Sequence, residues 1–168
     1  RLGRCPGGGR PVVSSRVAIV GTGQIGDAVA RRLLVTGLAP VVYDTHPDAT
    51  AASVAAGARA VTSLGEVGAL AEVVLVCVRD DAQCTDAVTG LLPGLAPGTV
   101  VAVMATVTPD TIAALAATCR AADVDLVDAP VAGRGVASIE DATMNVLVGG
   151  PDQVIERLPP VIARFGVL

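Results

Sequence analysis

Residues 16–44 read Arg16-Val-Ala-Ile-Val20-Gly21-Thr22-Gly23-Gln24-Ile25-Gly26, then a helical run through Leu34, then Val41-Val-Tyr43-Asp44. An apolar, β-branched run feeds into Gly-x-Gly-x-x-Gly, which opens a helix. A second apolar run ends on an acid 18 residues after Gly26. Strand, glycine turn, helix, strand and terminal acid, in that order, form the βαβ arrangement that holds a dinucleotide. The glycines alone would say little, because 19 of the 168 residues are Gly and a tight strand-to-helix turn gives the same pattern. The flanking elements and the acid carry the reading.

Each position has a physical task. Gly21 lets the chain turn sharply off the first strand. Gly23 removes a side chain where a pyrophosphate must approach the backbone, and Gly26 lets the helix pack closely. The pyrophosphate would sit on unpaired N–H groups at the positive end of the helix dipole. Gly21, Thr22, Gly23, Gln24, Ile25 and Gly26 are therefore the expected cofactor loop. Asp44 is placed to accept both ribose hydroxyls of the adenosine half, and its charge would repel a 2′-phosphate. NAD is accordingly expected over NADP, and no arginine follows in Thr45-His46-Pro47-Asp48 to receive that phosphate. A protonated His46 would offset part of the Asp44 charge.

Composition narrows the classes. The 168 residues suffice for one domain with its own core. A hydrophobic content of 52% suits a parallel sheet buried on both faces. The net charge of −4 provides no basic footprint for nucleic acid. Tyr43 and Phe165 are the only Phe, Trp or Tyr residues, so base-stacking platforms are scarce. Cys5, Cys77, Cys84 and Cys119 show no ligand spacing, which fits reduced thiols in a cytoplasmic protein and no metal. No apolar run is long enough to span a membrane. All 12 basic residues are arginine, and His46 is the only histidine.

Residues 1–15 are rich in Gly, Pro and Arg without periodicity, so a disordered arm is expected there and a dinucleotide-binding domain over 16–168. No apolar segment follows the arm's charges, so no signal peptide is expected. A first residue other than Met fits a fragment or a processed product. Beyond Asp44 the pattern predicts a helix over 48–56, a short strand at 58–61 and a capping box at Ser63–Glu66. A continuous apolar strand at 73–78 should be central and parallel. Asp80, Asp81 and Asp86 read as acids at the start of the next helix that serve its dipole. Strands at 100–103, 124–128 and 145–148 and a helix from Pro109 to Ala121 follow. A last helix from Asp152 toward Phe165 should break at Pro159-Pro160. Strands alternating with helices give a doubly wound, mostly parallel α/β sheet of Rossmann type, with ligands outside the carboxyl ends of its strands.

The chain resembles the β-hydroxyacid dehydrogenases, which include 3-hydroxyisobutyrate, tartronate semialdehyde and 6-phosphogluconate enzymes. Val41–Pro47 is similar to that family's second strand and turn, and Gly57-Ala-Arg-Ala to the segment before its third strand. Val73–Asp81 resembles the strand and Leu-Pro-Asp-Asp loop that touch the nicotinamide half, here with Val78-Arg79. Met104-Ala-Thr106-Val-Thr-Pro109 is similar to Met-Ser-Thr-x-x-Pro. Asp128-Ala-Pro-Val-Ala-Gly133 resembles the substrate loop Asp-Ala-Pro-Val-Ser-Gly-Gly, and Val148-Gly-Gly150 closes the pattern. An imine reductase-like enzyme shares the same cofactor fold, but Asp128-Ala-Pro-Val points to the hydroxyacid branch. The resemblance implies cofactor contacts at Val78, Arg79 and Thr106, and substrate contacts at Ala132, Gly133 and Arg134.

Departures matter as much. Ala132 stands where the family has a Ser that holds a substrate carboxylate, and Arg134 stands where it has a second Gly. Arg134 would grip an anionic substrate or remain a solvated loop arginine. The family's catalytic lysine belongs to a helical second domain, and this chain has no lysine. No catalytic residue is therefore assigned. The resemblance implies hydride transfer between NAD and a small hydroxyacid or its aldehyde. The alternative is a non-catalytic nucleotide-binding module or a truncated remnant. The chain by itself is expected to be inactive. A homodimer, or a partner supplying the helical domain, is the expected assembly.

Overall fold

The computed structural model describes residues 16–168, so the arm expected over 1–15 lies outside the described residues. The chain alternates as the pattern predicts. It runs β1 (Val17–Val20), α1 (Gln24–Val35), β2 (Val41–Tyr43), α2 (Ala51–Ala55), β3 (Arg59–Ala60), α3 (Leu64–Leu70) and β4 (Val73–Val76). It continues through α4 (Asp81–Leu91), β5 (Val100–Val103), α5 (Pro109–Ala121) and β6 (Asp125–Asp128). The six strands form one sheet in the order β3-β2-β1-β4-β5-β6, parallel throughout. The order reverses direction between β1 and β4. That switch point is where such sheets open a crevice at their carboxyl edge.

The continuous apolar runs are explained by burial on both faces. Every residue of β1, β4 and β5 is buried. Alternate residues face opposite layers: Val17 and Ile19 join the core beneath α1, while Ala18 and Val20 join the core beneath α3, α4 and α5. Each fully buried Val, Leu or Ile side chain contributes about 1.5–3 kcal/mol, so two full layers offset the chain entropy of a domain this size.

Several boundaries shift. The expected 48–56 helix is a 3-10 turn at Pro47–Thr50 running into α2. The central strand stops at Val76, two residues early, which frees Cys77 and Val78 to line the crevice. In the Ser63 box, the Ser63 hydroxyl accepts the Glu66 N–H at 3.2 Å. The Glu66 carboxylate instead accepts from the Thr62 N–H and hydroxyl.

The last third departs most. After β6 come β7 (Val131–Ala132), α6 (Val136–Glu140), β8 (Met144–Val146), α7 (Asp152–Ile155), α8 (Pro159–Ile162) and β9 (Gly166–Val167). The three strands make a second small sheet, β7-β8-β9. The expected final helix is broken at the prolines into α7 and α8, with Pro159 opening α8. Phe165, fully buried, plugs this unit into the core beneath α1. Arg32 Nε donates to the Arg164 carbonyl at 3.0 Å, and Arg164 Nη1 to the Thr36 carbonyl at 2.7 Å, which ties the two together.

Candidate cofactor site

The turn after β1 is built on close approach. Gly21 has φ +89°, and its N–H donates to the Tyr43 carbonyl at 2.8 Å. A Cβ at Gly21 would lie 2.6 Å from the Cys77 carbonyl oxygen, and a Cβ at Gly26 would collide with the Gly21 carbonyl oxygen. At Gly23, by contrast, a Cβ would meet nothing within 4 Å. Gly21 and Gly26 are therefore glycines because the protein is in the way. Gly23 borders open space, the room a pyrophosphate needs.

The start of α1 fits the same ligand. The helices α3, α4 and α5 are capped by Ser63, Asp80 and Thr108 side chains, but α1 begins at Gly23 with no side-chain cap. A twelve-residue helix thus presents N–H groups around Gln24 and Ile25 with no side-chain acceptor from the protein. Those groups and the helix dipole favour an anion there.

Asp44 follows β2 and closes the turn. One carboxylate oxygen accepts the Thr22 N–H at 2.8 Å and the Thr22 hydroxyl at 3.3 Å; the other accepts the His46 N–H at 2.9 Å. Burial alone would raise its pKa, but the His46 and Thr22 hydrogen bonds outweigh it and hold the carboxyl below its ordinary value. Asp44 is thus a carboxylate at neutral pH with its side chain 15% exposed. His46 is 87% exposed, with Nδ1 3.2 Å from the Thr45 hydroxyl and 3.7 Å from the near Asp44 oxygen.

Gly21, Gly23, Tyr43, Asp44, Thr45 and His46 line a cavity of about 620 Å³ that also takes in Val78, Arg79, Gln83 and Asp86, whereas Thr22, Gln24, Ile25 and Gly26 are not part of its lining. The resemblance assigned Val78 and Arg79 to the nicotinamide half. The structure places both on the cleft shared with Asp44 and His46. The reason is topological: β4 pairs with β1, so the loop after it faces the loop after β2 across the glycine turn. Gln83, Asp86, Ala49 and Leu64 also line this cleft and carried no motif that could have marked them.

The three acids expected at the start of α4 divide their roles. Asp80 caps the helix by accepting the Gln83 N–H at 2.9 Å. One Asp81 oxygen accepts from the Thr111 hydroxyl (2.6 Å), the Thr108 N–H (2.9 Å) and the Thr108 hydroxyl (2.7 Å). These bonds hold its pKa down at about 2, so Asp81 fastens α4 to the start of α5 rather than only serving a dipole. Asp86 alone faces the cleft. Among the described residues no group of three or more His, Cys, Asp or Glu could hold a metal. The Cys77 thiol turns inward, donating to Met104 Sδ at 3.7 Å, and burial pushes it up to about 12.

The remaining expected residues stand apart from the Asp44 cleft. Thr106 is exposed after β5, and Ala132, Gly133 and Arg134 follow the edge strand β6. A Cβ at Gly133 would lie 2.8 Å from Ser138 Oγ and 3.0 Å from Met144 Sδ, so packing dictates this glycine. The Arg134 N–H donates to Ser138 Oγ at 2.7 Å, and its guanidinium to Asp141 at 3.3 Å. Both partners of that ion pair are mostly exposed, so it is worth less than about 1 kcal/mol and leaves Arg134 open to an anionic ligand. Burial raises the Asp128 pKa, and its backbone pairs with Gly149 at 2.9 and 2.8 Å.

Comparison with known proteins identifies a family and a shared fold. The family described as the NAD binding domain of 6-phosphogluconate dehydrogenase matches residues 16–167. An uncharacterized oxidoreductase of Mycobacterium tuberculosis is 33% identical over 156 residues, covering 91% of this chain and 52% of its own. The NAD-dependent L-serine dehydrogenase of Pseudomonas aeruginosa is 31% identical over 155 residues, covering 90% and 51%. The solved 3-hydroxyisobutyrate dehydrogenase of M. tuberculosis with L-serine superposes with a TM-score of 0.87 at 25% identity, covering 92% of this chain and 53% of that one. The chain spans about half the length of the curated relatives it matches. Among the described residues no helix is long and apolar enough to cross a membrane.

Proposed function

This chain belongs to the family of NAD binding domains described for 6-phosphogluconate dehydrogenase, and from that premise we propose that it holds the cofactor in a hydroxyacid oxidoreductase. The reaction is hydride exchange between NAD and a small β-hydroxyacid or its aldehyde. One observation carries the reading: an uncapped α1 N-terminus beside open space at Gly23, with the Asp44 carboxylate on the same cleft. Pyrophosphate and ribose each find their partner there. The names of the serine and 3-hydroxyisobutyrate relatives support the substrate class.

The division of labour follows from the residues. The nicotinamide supplies the hydride chemistry. The Gly21–Gly26 turn holds the pyrophosphate, Asp44 holds the adenosine ribose, and Thr106 contacts the nicotinamide ribose. Ala132, Gly133 and Arg134 meet the substrate, with Arg134 exchanging Asp141 for a substrate carboxylate. None of the 168 residues is a lysine, so this reading assigns cofactor binding rather than proton transfer to these residues. Cytoplasmic residence and pairing with a second copy or a helical partner complete it.

Asp44 also sets the cofactor. A 2′-phosphate would bring like charge against a half-buried carboxylate and lose the ribose hydrogen bond, so NAD is preferred over NADP. Fluorescence titration of the chain with NADH and NADPH tests this. Saturable NADH binding is expected, with NADPH weaker at pH 8; no binding of either at millimolar concentration would sink the reading.

Ala132, which lacks the hydroxyl the resemblance expects at the substrate loop, favours a second reading, a nucleotide-binding module without turnover. A panel of 3-hydroxyacids separates the two: NAD reduction by the purified chain would eliminate the inert module.

A further inference from the structure

We propose that Arg79 holds the adenine base of the cofactor, its guanidinium plane laid against one face of the ring. The inference rests on the dinucleotide reading above and gives its adenosine end a residue. Gly21, Gly23 and Asp44 account for phosphate and ribose. Beside the polar Thr45, His46, Gln83 and Asp86, the apolar wall of the cleft includes Ala49, Leu64, Val78 and Ala87. These side chains are apolar and small or flexible. They can enclose a base but offer no flat partner for its face.

Flat partners are few in this chain. Phe165 is fully buried in the core beneath α1. Tyr43 borders the cleft, but its ring packs on the core beneath α3, α4 and α5. His46 also lines the cleft, but its ring is 87% exposed and its Nδ1 is engaged 3.2 Å from the Thr45 hydroxyl, so a planar guanidinium is the other group there that stacks on a base, and bases do lie on arginine planes. Arg16, Arg31, Arg32, Arg134, Arg157 and Arg164 each donate a side-chain hydrogen bond to a carboxylate or carbonyl. Among the described residues Arg59, Arg79 and Arg120 have no such acceptor, and of these only Arg79 lines the cleft.

Its backbone is fixed for the task. The Arg79 N–H donates to Gln83 Oε1 at 3.2 Å, and the next residue caps α4. The side chain therefore leaves a pinned point at the cleft wall. Charge favours the base over a 2′-phosphate as its partner: Asp44 and Asp86 line the same cleft and would repel added negative charge. A neutral ring costs nothing there.

The test is titration of the full chain and of Arg79→Ala and Arg79→Lys with NADH, NADPH and reduced nicotinamide mononucleotide, which lacks the adenosine half. Arg79→Ala should weaken NADH by about tenfold and leave the mononucleotide unchanged. Arg79→Lys, which keeps the charge and loses the plane, should remain at least about threefold weaker than the parent. The assignment is overturned if NADH affinity of Arg79→Ala stays within about twofold of the parent, or if the mononucleotide weakens equally. Full recovery by Arg79→Lys, or a larger loss for NADPH than for NADH, would show a charge contact instead and overturn it too. If the unsubstituted chain takes no NADH, the dinucleotide reading itself fails and this assignment with it.

Discussion

The Asp44 carboxylate and the Thr22 N–H lie 2.8 Å apart, which fastens the end of β2 to the glycine turn after β1. Thr22 is buried, so its N–H has no water to fall back on. Asp44→Ala should cost about 1–3 kcal/mol of stability through that orphaned donor, and Asp44→Asn, which retains an acceptor, should cost less. Urea denaturation of the two variants measures the difference; equal stability of Asp44→Ala and the parent would show that Thr22 finds another partner.

Cofactor preference should follow the same carboxylate. Asp44→Ser is expected to erode the preference for NADH over NADPH by about tenfold to hundredfold at pH 8. His46→Ala at that pH should barely change it, because a neutral imidazole adds no charge. Equal affinity of the parent for both cofactors would mean that the ribose does not reach Asp44.

Gly23 and Gly26 should separate binding from folding. Gly23→Ala places its methyl in open space at an extended backbone (φ −64°, ψ −168°), so thermal stability should hold. NADH affinity should fall by at least about tenfold as that methyl takes the pyrophosphate's room. Gly26→Ala drives a methyl into the Gly21 carbonyl and should lower Tm markedly or prevent folding. Melting curves beside NADH titrations check both; a Gly23→Ala chain that binds normally would remove the phosphate from this turn.

Acid should unfasten α4 from α5. The Thr111 hydroxyl, then the Thr108 N–H and hydroxyl, hold Asp81 at about 2. A depressed carboxyl contributes stability above its unfolded pKa of about 3.9, and that contribution is lost as pH falls through the folded value. The Asp81-dependent part of Tm should therefore be complete above about pH 4 and fade toward pH 2. Asp81→Asn should lower Tm at pH 7 and narrow its gap from the parent as the pH approaches 2; a gap that persists unchanged would contradict the linkage.

The described thiols should be quiet. Burial pushes Cys77 to about 12 and, as the largest cause in each, Cys84 and Cys119 to about 11. Nucleophilic attack needs the thiolate, so iodoacetamide at pH 8 should label these three only on unfolding. Mass-mapped labelling of Cys77 in the native chain within minutes would show that the cleft opens more widely than its packing implies.

Local order was legible in residues 16–44 because every constraint there acts within one βαβ unit. The turn chemistry of Gly21 and Gly26, the apolar period of α1 and the acid after β2 lie within 29 consecutive positions. The continuous apolar run at Val73–Val76 likewise announced a central parallel strand, since only double-sided burial explains an unbroken run. The prolines at 159 and 160 announced a helix break for an equally local reason, the missing N–H.

Tertiary structure decided what no spacing encodes. Arg79 and Asp44 share a cleft because β4 pairs with β1 beside β2, a choice of strand neighbours made by the whole core. Asp81 became a clasp through hydroxyls 27 and 30 residues away, and Arg134 met Asp141 only once α6 had turned the chain back. Of the second sheet only one strand was legible, expected at 145–148 and observed as β8 at Met144–Val146, because β7 and β9, of two residues each, are too short to show a period. The sheet's place is set by Phe165 filling the core beneath α1. Local sequence fixes a dihedral or a cap for about 1 kcal/mol each. Which distant groups meet is decided by burying two apolar layers at once, a cooperative sum over the chain.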